Sequence, residues 1–222
     1  MVRVVTIDGP SGSGKGTIAR LLADRLGWHC LDSGALYRLV GLAADRAGVS
    51  FDDPVALEAV ARGLEAEFVG ERVLLGGEDV GLAIRTEQAG NLASKVAAVP
   101  GVRAALLDWQ RAYARPPGLV ADGRDMGTVV FPDAPVKVFL TADAEERARR
   151  RHKQLLEKGI SANFAHLVAE IRERDERDRS RAVAPLKAPA AALEIESTAL
   201  PIAGVLDRVL ERVRSAFPDL AV

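Results

Sequence analysis

Residues 2–17 read Val2-Arg3-Val4-Val5-Thr6-Ile7-Asp8-Gly9-Pro10-Ser11-Gly12-Ser13-Gly14-Lys15-Gly16-Thr17, and this stretch decides the fold. Val2 to Asp8 is a β-branched run ending at a glycine cluster, which is how a buried strand reads. Beyond the cluster, Ile18, Leu21, Leu22 and Leu26 recur at helical spacing, so a helix is expected over Thr17 to Leu26. Strand, glycine-rich loop and helix stand in succession, with a Gly, four residues and a Gly-Lys pair at the junction.

The physical consequence is a cradle for polyphosphate. Glycines let the loop curl with its N–H groups inward, and the helix N-terminus adds positive potential. ATP is therefore expected on Gly9, Pro10, Ser11, Gly12, Ser13, Gly14, Lys15, Gly16 and Thr17, with Lys15 following the β- and γ-phosphate charge during transfer. Gly16 stands where a Ser or Thr hydroxyl commonly ligates magnesium. Thr17 is accordingly expected to contact phosphate, no protein metal ligand is assigned, and Mg2+ is expected to arrive with ATP. Neither Asn91 nor Asn163 is followed by Lys, which removes the guanine reader of switch GTPases.

Outward from the loop, Trp28 to Leu31 reads as a second short strand and Ala35 to Ala47 as a helix capped by Asp32 or Ser33. The character changes from Phe51 to about Val99. There Asp52-Asp53-Pro54 opens a helix, and Ala66 to Val69 and Arg72 to Leu75 flank a Gly70-Glu71 turn. Helices are expected over Thr86 to Val99 and Val102 to Ala114, separated by Pro100-Gly101. Leu119-Val120-Ala121 and Val136 to Leu140 resemble buried parallel strands. Ala144 to Glu157 and Phe164 to about Arg179 read as charged helices around Lys158-Gly159. Leu193-Glu194-Ile195 is a last strand, and Ile202 to Phe217 a closing helix. This alternation predicts an α/β fold with a doubly wound parallel sheet, whose ligands lie beyond the strands' carboxyl ends.

Hydrophobic residues make up 48% and charged residues 27%, with a net charge of -1, so any anion site must be local rather than a general basic surface. The run 143–181 holds eleven basic and nine acidic residues, which excludes an RNA-binding face. Cys30 is the only cysteine, so no internal disulfide or Cys-rich metal site is possible. No apolar run approaches the roughly 18 residues of a membrane span, and Met1 to Asp8 lacks a signal peptide's apolar stretch. A cytoplasmic protein without a membrane or nucleic-acid polymer as partner is expected.

Four stretches then carry a resemblance: Asp8 to Thr17, Asp32-Ser33-Gly34-Ala35-Leu36-Tyr37-Arg38, Ala121-Asp122-Gly123-Arg124-Asp125-Met126-Gly127-Thr128, and Glu173 to Arg181. In this order they resemble the bacterial cytidylate kinases, within the nucleoside monophosphate kinase family of P-loop NTPases. The resemblance implies a three-layer fold with a central parallel five-stranded sheet. Residues 1–33, 100–145 and 182–222 would form the core, 34–99 the monophosphate-binding region with its small helix and antiparallel-strand insertion, and 146–181 a helical lid and adjoining helix. It also implies a monomer of pyrimidine metabolism that transfers the γ-phosphoryl group of MgATP to CMP or dCMP.

An acceptor phosphate needs cations on its far side, and arginine forks suit it best. Arg38 and Arg124 each sit near Gly at a predicted strand end and read as such clamps, which Arg181 joins by the resemblance. Lys15, Arg124 and Arg181 are the expected catalytic residues. Cytosine offers an amino donor where uracil has a carbonyl, so its reader should include a carboxylate. By the resemblance that group is Asp125, with Ser94 and Arg103. Tyr37 packs against the nucleotide, Ser33 contributes from the same segment, and Arg174 and Asp178 are sugar-side contacts.

A monophosphate already carries an ionised oxygen near neutral pH, so no protein base is needed. His29, His152 and His166 are read as structural or surface residues. Arg147, Arg149, Arg150 and Arg151 are read as solvated, within a region at 147–158 that closes over the triphosphate. A kinase of another small acceptor and a protein that uses ATP only to change shape stay open as alternatives.

Overall fold

The computed structural model describes residues 2–69, 72–157, 159 and 161–220. The Gly70-Glu71 turn and Lys158 lie outside the described residues. The chain order is β1 (Arg3–Asp8), α1 (Lys15–Leu26), β2 (His29–Asp32), α2 (Ser33–Arg46), α3 (Pro54–Arg62), β3 (Ala66–Val69), β4 (Arg72–Leu75), β5 (Glu78–Asp79), α4 (Glu87–Val96) and α5 (Pro100–Ala112). There follow β6 (Gly118–Gly123), β7 (Val136–Thr141), α6 (Ala144–Glu157), α7 (Phe164–Arg179), β8 (Leu193–Glu196) and α8 (Ile202–Ala216). A 3-10 turn at Ala83–Arg85 and a π-type turn at Met126–Val130 complete the elements.

Two compact units emerge, one from the stretches 2–31 and 113–220, the other from Asp32–Ala112. The first is built on a five-stranded sheet of order β2-β6-β1-β7-β8, with the β1–β6, β1–β7 and β7–β8 pairs parallel. Every residue of β6 is buried, as a parallel strand covered on both faces requires. Its core joins Val5, Ile7, Val120, Val138 and Leu140 of the sheet to Ile18 and Leu22 of α1 and Val209 and Val213 of α8. Each such side chain contributes ~1.5–3 kcal/mol of burial. The chain leaves β1 toward β2 on one side and leaves β6 for β7 on the other. The strand order therefore reverses at β1, the place where open α/β sheets bind ligands. Helices α6 and α7 pack through Ala148, Leu155 and Leu167.

In the second unit, Asp32 caps α2 by accepting from the Ala35 amide at 3.1 Å, and Asp53 caps α3 from outside its first-turn proline. The strands β3, β4 and β5 form an antiparallel sheet, of which β5 was not expected. Pro100 and Gly101 begin α5 rather than separating it from α4, because proline's missing N–H costs nothing in a first turn. Helix α5, assigned by the sequence reading to the core, packs on α3 in this unit.

Candidate active site

The phosphate loop follows a path that glycine alone allows at its start. Gly9 leaves β1 with φ +156°, and a β-carbon there would stand 2.1 Å from the carbonyl oxygen of Leu140 on β7. Helix α1 is preceded by Gly14, which provides no side-chain cap, and the Thr17 amide turns back to the Gly14 carbonyl at 3.1 Å; a helix start of this kind presents positive potential to an anion. Lys15 is buried, donates from Nζ to the Pro10 carbonyl at 3.1 Å, and lies 4.0 Å from Asp122 Oδ1.

Asp122, near the end of β6, is a residue of this neighbourhood that the sequence reading missed. Its signal is an acidic side chain closing an otherwise apolar buried strand. At Gly16 a β-carbon would meet Asp122 Oδ2 at 3.0 Å, so the glycine that replaces the usual hydroxyl also lets this carboxylate approach the loop. Among the described residues no group of three or more His, Cys, Asp or Glu is arranged to hold a metal ion.

Arg147 corrects the expectation of a solvated side chain, being 3% exposed. Its guanidinium grips Asp175 of α7 with two bonds, at 3.0 and 2.5 Å. It also donates to the carbonyls of Ser11 at 2.9 Å and Ala142 at 2.9 Å. A planar fork with five donors can satisfy all of these at once, which is why arginine tolerates this burial. One side chain thereby ties α6 and α7 to the phosphate loop. Arg150 donates to the Ser197 carbonyl at 2.7 Å, whereas Arg149 stays at the surface beside Glu146.

Four of the residues expected at the acceptor come together in the first unit. Asp178 on α7 is buried and accepts from Arg124 Nε at 3.0 Å, while Arg181 bonds its other oxygen. Arg124 also donates to the Gly123 carbonyl at 3.3 Å. Burial pushes the Asp178 carboxyl up, but the charges of Arg124, Arg181 and Arg174 outweigh it and leave the group below its ordinary range. Asp125 is buried in the turn after β6.

The second unit carries the remaining expected residues. Ser33 begins α2, and one turn later Arg38 Nη1 donates to the Ile84 carbonyl at 2.6 Å. Arg103 of α5 is buried, with its guanidinium 5.6 Å from the Tyr37 ring centroid and a bond to the Ala97 carbonyl at 3.3 Å. Ser94 is buried on α4, which packs against α2.

The histidines sit apart from these clusters. His29 Nε2 is 2.9 Å from the Pro116 carbonyl, His152 Nε2 is 3.1 Å from the Ala162 carbonyl, and His166 pairs with Glu170 on its own helix.

Curled amides and a lysine suit a polyphosphate, while guanidiniums fastened to one buried carboxylate suit a second anion. Proteins that bring two such anions together on this sheet are P-loop phosphotransferases. The family model for cytidylate kinase matches residues 5–215. Cytidylate kinase from Azotobacter vinelandii is 58% identical over 224 residues, covering 98% of this chain and 97% of that one. Its counterpart from Aeromonas salmonicida is 59% identical over 223 residues, covering 99% and 97%. A solved structure of an uncharacterized protein from Eubacterium ventriosum matches with a TM-score of 0.54 at 12% identity, covering 97% of this chain and 99% of that one, a likeness of fold alone. The chain belongs to the cytidylate kinase family. Among the described residues no helix is long and apolar enough to cross a membrane.

Proposed function

We propose that this chain transfers the γ-phosphoryl group of MgATP to CMP or dCMP, giving ADP and the nucleoside diphosphate. The observation that carries this reading, beside the family, is the buried Asp178 with Arg124 and Arg181 bonded to it and the charge of Arg174 acting on it. Phosphoryl transfer needs little covalent help from a protein, so positioning and charge neutralisation do most of the work. The loop Gly9 to Thr17 holds the triphosphate and Lys15 follows its migrating charge. Magnesium enters with ATP as part of the substrate.

The acceptor contacts are Arg38, Arg124 and Arg181 for phosphate, Asp125, Ser94 and Arg103 for cytosine, and Ser33, Tyr37, Arg174 and Asp178 for the rest of the nucleotide. The acceptor supplies its own ionised oxygen, which is why no histidine is recruited. In this reading the chain acts as a monomer in the cytoplasm, on free nucleotides.

An ADP-release assay across the nucleoside monophosphates tests the reading. CMP and dCMP should be turned over and UMP and AMP poorly; equal turnover of UMP or AMP removes Asp125 as the discriminating carboxylate. In Lys15→Ala, kcat should fall by about 100-fold or more, because a charge aimed at the transition state is lost. Unchanged kcat would remove the donor site from Gly9 to Thr17.

A further inference from the structure

The last residue of β1, Asp8, lies outside the chemistry just described, yet it is fully buried and aims both carboxylate oxygens at one turn of chain. Oδ1 accepts from the Met126 amide at 2.8 Å and Oδ2 from the Gly127 amide at 2.8 Å. These amides open the π-type turn Met126–Val130, and the two residues before them are Arg124 and Asp125. The contact crosses 118 positions in sequence, so it is a designed meeting of two segments rather than a local cap.

The turn is also shaped to receive the carboxylate. A β-carbon on Gly127 would stand 2.8 Å from Thr6 Oγ1, 2.9 Å from Pro189 Cγ and 3.3 Å from Asp8 Oδ2. Only glycine lets this backbone lie so close to β1. An asparagine at position 8 would offer one acceptor and turn a donor toward the second amide, whereas a carboxylate offers two acceptors in one plane. The burial opposes its charge, as do Asp125 and Asp122, so the carboxylate is kept at a place where the fold alone would favour a neutral group.

We propose that Asp8 is a positioning residue for the acceptor: by holding the Met126 and Gly127 amides, it fixes the backbone from which Arg124 and Asp125 reach the monophosphate. This rests on the reading of Arg124 and Asp125 as acceptor contacts. Asp8 directly precedes Gly9, so a merely structural defect at this position would disturb the phosphate loop and ATP as much as the acceptor. A positioning role predicts selectivity instead.

The test compares Asp8→Asn and Gly127→Ala with the wild type, by KM for each substrate and by amide hydrogen exchange. In both variants KM for CMP should rise about tenfold or more, as expected for losing a charge-assisted bond, with KM for ATP within about twofold. Exchange at Met126 and Gly127 should quicken about tenfold while the amides of β1 and β6 keep their protection. A parallel rise in both KM values, or unchanged exchange at these two amides, overturns the proposal. If neither variant folds, the wild type decides: Met126 and Gly127 should be protected like the β6 amides, and exchange at the rate of an exposed loop overturns it. A wild type inactive on every monophosphate would sink the proposed function instead, and the exchange data would still judge whether Asp8 holds the turn.

Discussion

Among the buried carboxylates of the sheet-bearing unit, Asp8 at the end of β1 and Asp178 on α7 have opposite surroundings. Asp178 is met by guanidiniums, with Arg124 and Arg181 bonded to it and Arg174 acting through its charge. Asp8 is met by two backbone amides and by the charges of Asp125 and Asp122. Burial raises both, yet Asp178 ends below the ordinary carboxylate range while Asp8 is pushed up to about 7. Amide dipoles soften burial; a full positive charge overcomes it. The difference teaches that a buried carboxylate bonded by guanidiniums keeps its charge readily, while one bonded only by backbone amides holds its charge at a cost to the fold.

Removing Asp178 should have the largest effect. Asp178→Ala leaves guanidiniums without their buried partner, and breaking such a pair costs about 3–5 kcal/mol. The melting temperature should drop by roughly 2–4 °C for each kcal/mol in a chain of this size. KM for CMP should rise together with that loss, as Arg124 and Arg181 lose their orientation. The folded Asp178 has a lowered pKa, so its contribution is fully present above the ordinary carboxylate range and is lost as pH falls through the folded value. An Asp178→Ala protein as stable as the wild type at neutral pH would break the comparison.

Asp8 should show the opposite sign, with a smaller amplitude. Its folded pKa of about 7 lies above the ordinary value of 3.8, so the fold binds the proton more tightly than the unfolded chain does. Its stabilisation is complete below the ordinary value and declines as pH rises to about 7, levelling off beyond. At ~1.4 kcal/mol per tenfold change in proton affinity, the decline reaches a few kcal/mol at most. Denaturant melts between about pH 5 and pH 8 should show this slope in the wild type and not in Asp8→Asn. Identical slopes in the two proteins would mean that Asp8 is not the group responsible.

These same residues mark where sequence reading succeeds and where it stops. The sheet was legible because Val2 to Asp8 is a β-branched run ending at a glycine cluster, and Leu119 to Ala121 and Val136 to Leu140 read as buried parallel strands. The helix starts were legible because Asp32-Ser33 and Asp52-Asp53-Pro54 are helix-opening residue types, and the structure settles the caps as Asp32 and Asp53. The two-residue strand β5 was not legible, since Glu78 and Asp79 are poor strand formers held only by pairing with β4. The π-type turn at Met126–Val130 was invisible because a partner of its first two amides, Asp8, lies far away in sequence.

Arg147 was misread for the same kind of reason. It sits in a run of four arginines within five positions, and nothing local separates it from Arg149 at the surface. Its partners, Asp175 and the Ser11 carbonyl, lie on other elements, so its burial is a product of folding. Of the residues expected at the acceptor, Arg38 and Arg124 stood out by the glycine near each at a strand end, whereas Arg181 was read mainly through the resemblance, because nothing local to it shows the carboxylate it bonds. Asp178 was expected at the sugar side, and the structure adds that it bonds Arg124 and Arg181.

The smallest effect belongs to a carboxylate that, like Asp178, has both oxygens bonded by guanidinium N–H groups, here of one arginine, but has none of its burial. In the second unit Arg46 reaches Glu78 through two parallel bonds, at 2.8 and 2.9 Å, with both side chains exposed. The bond from Arg46 holds the Glu78 carboxyl below its ordinary range, so any contribution exists above that range and fades on acidification. Water competes for both charges, and salt screens them over about 10 Å at moderate ionic strength. If burial, and not fork geometry, sets the worth of these carboxylates, Arg46→Ala should leave the melting temperature within about 1 °C of the wild type. The residual difference should vanish as salt is raised. A loss comparable to that of Asp178→Ala would show instead that pairing matters more than the medium around it, and the contrast between Asp8 and Asp178 would need another cause.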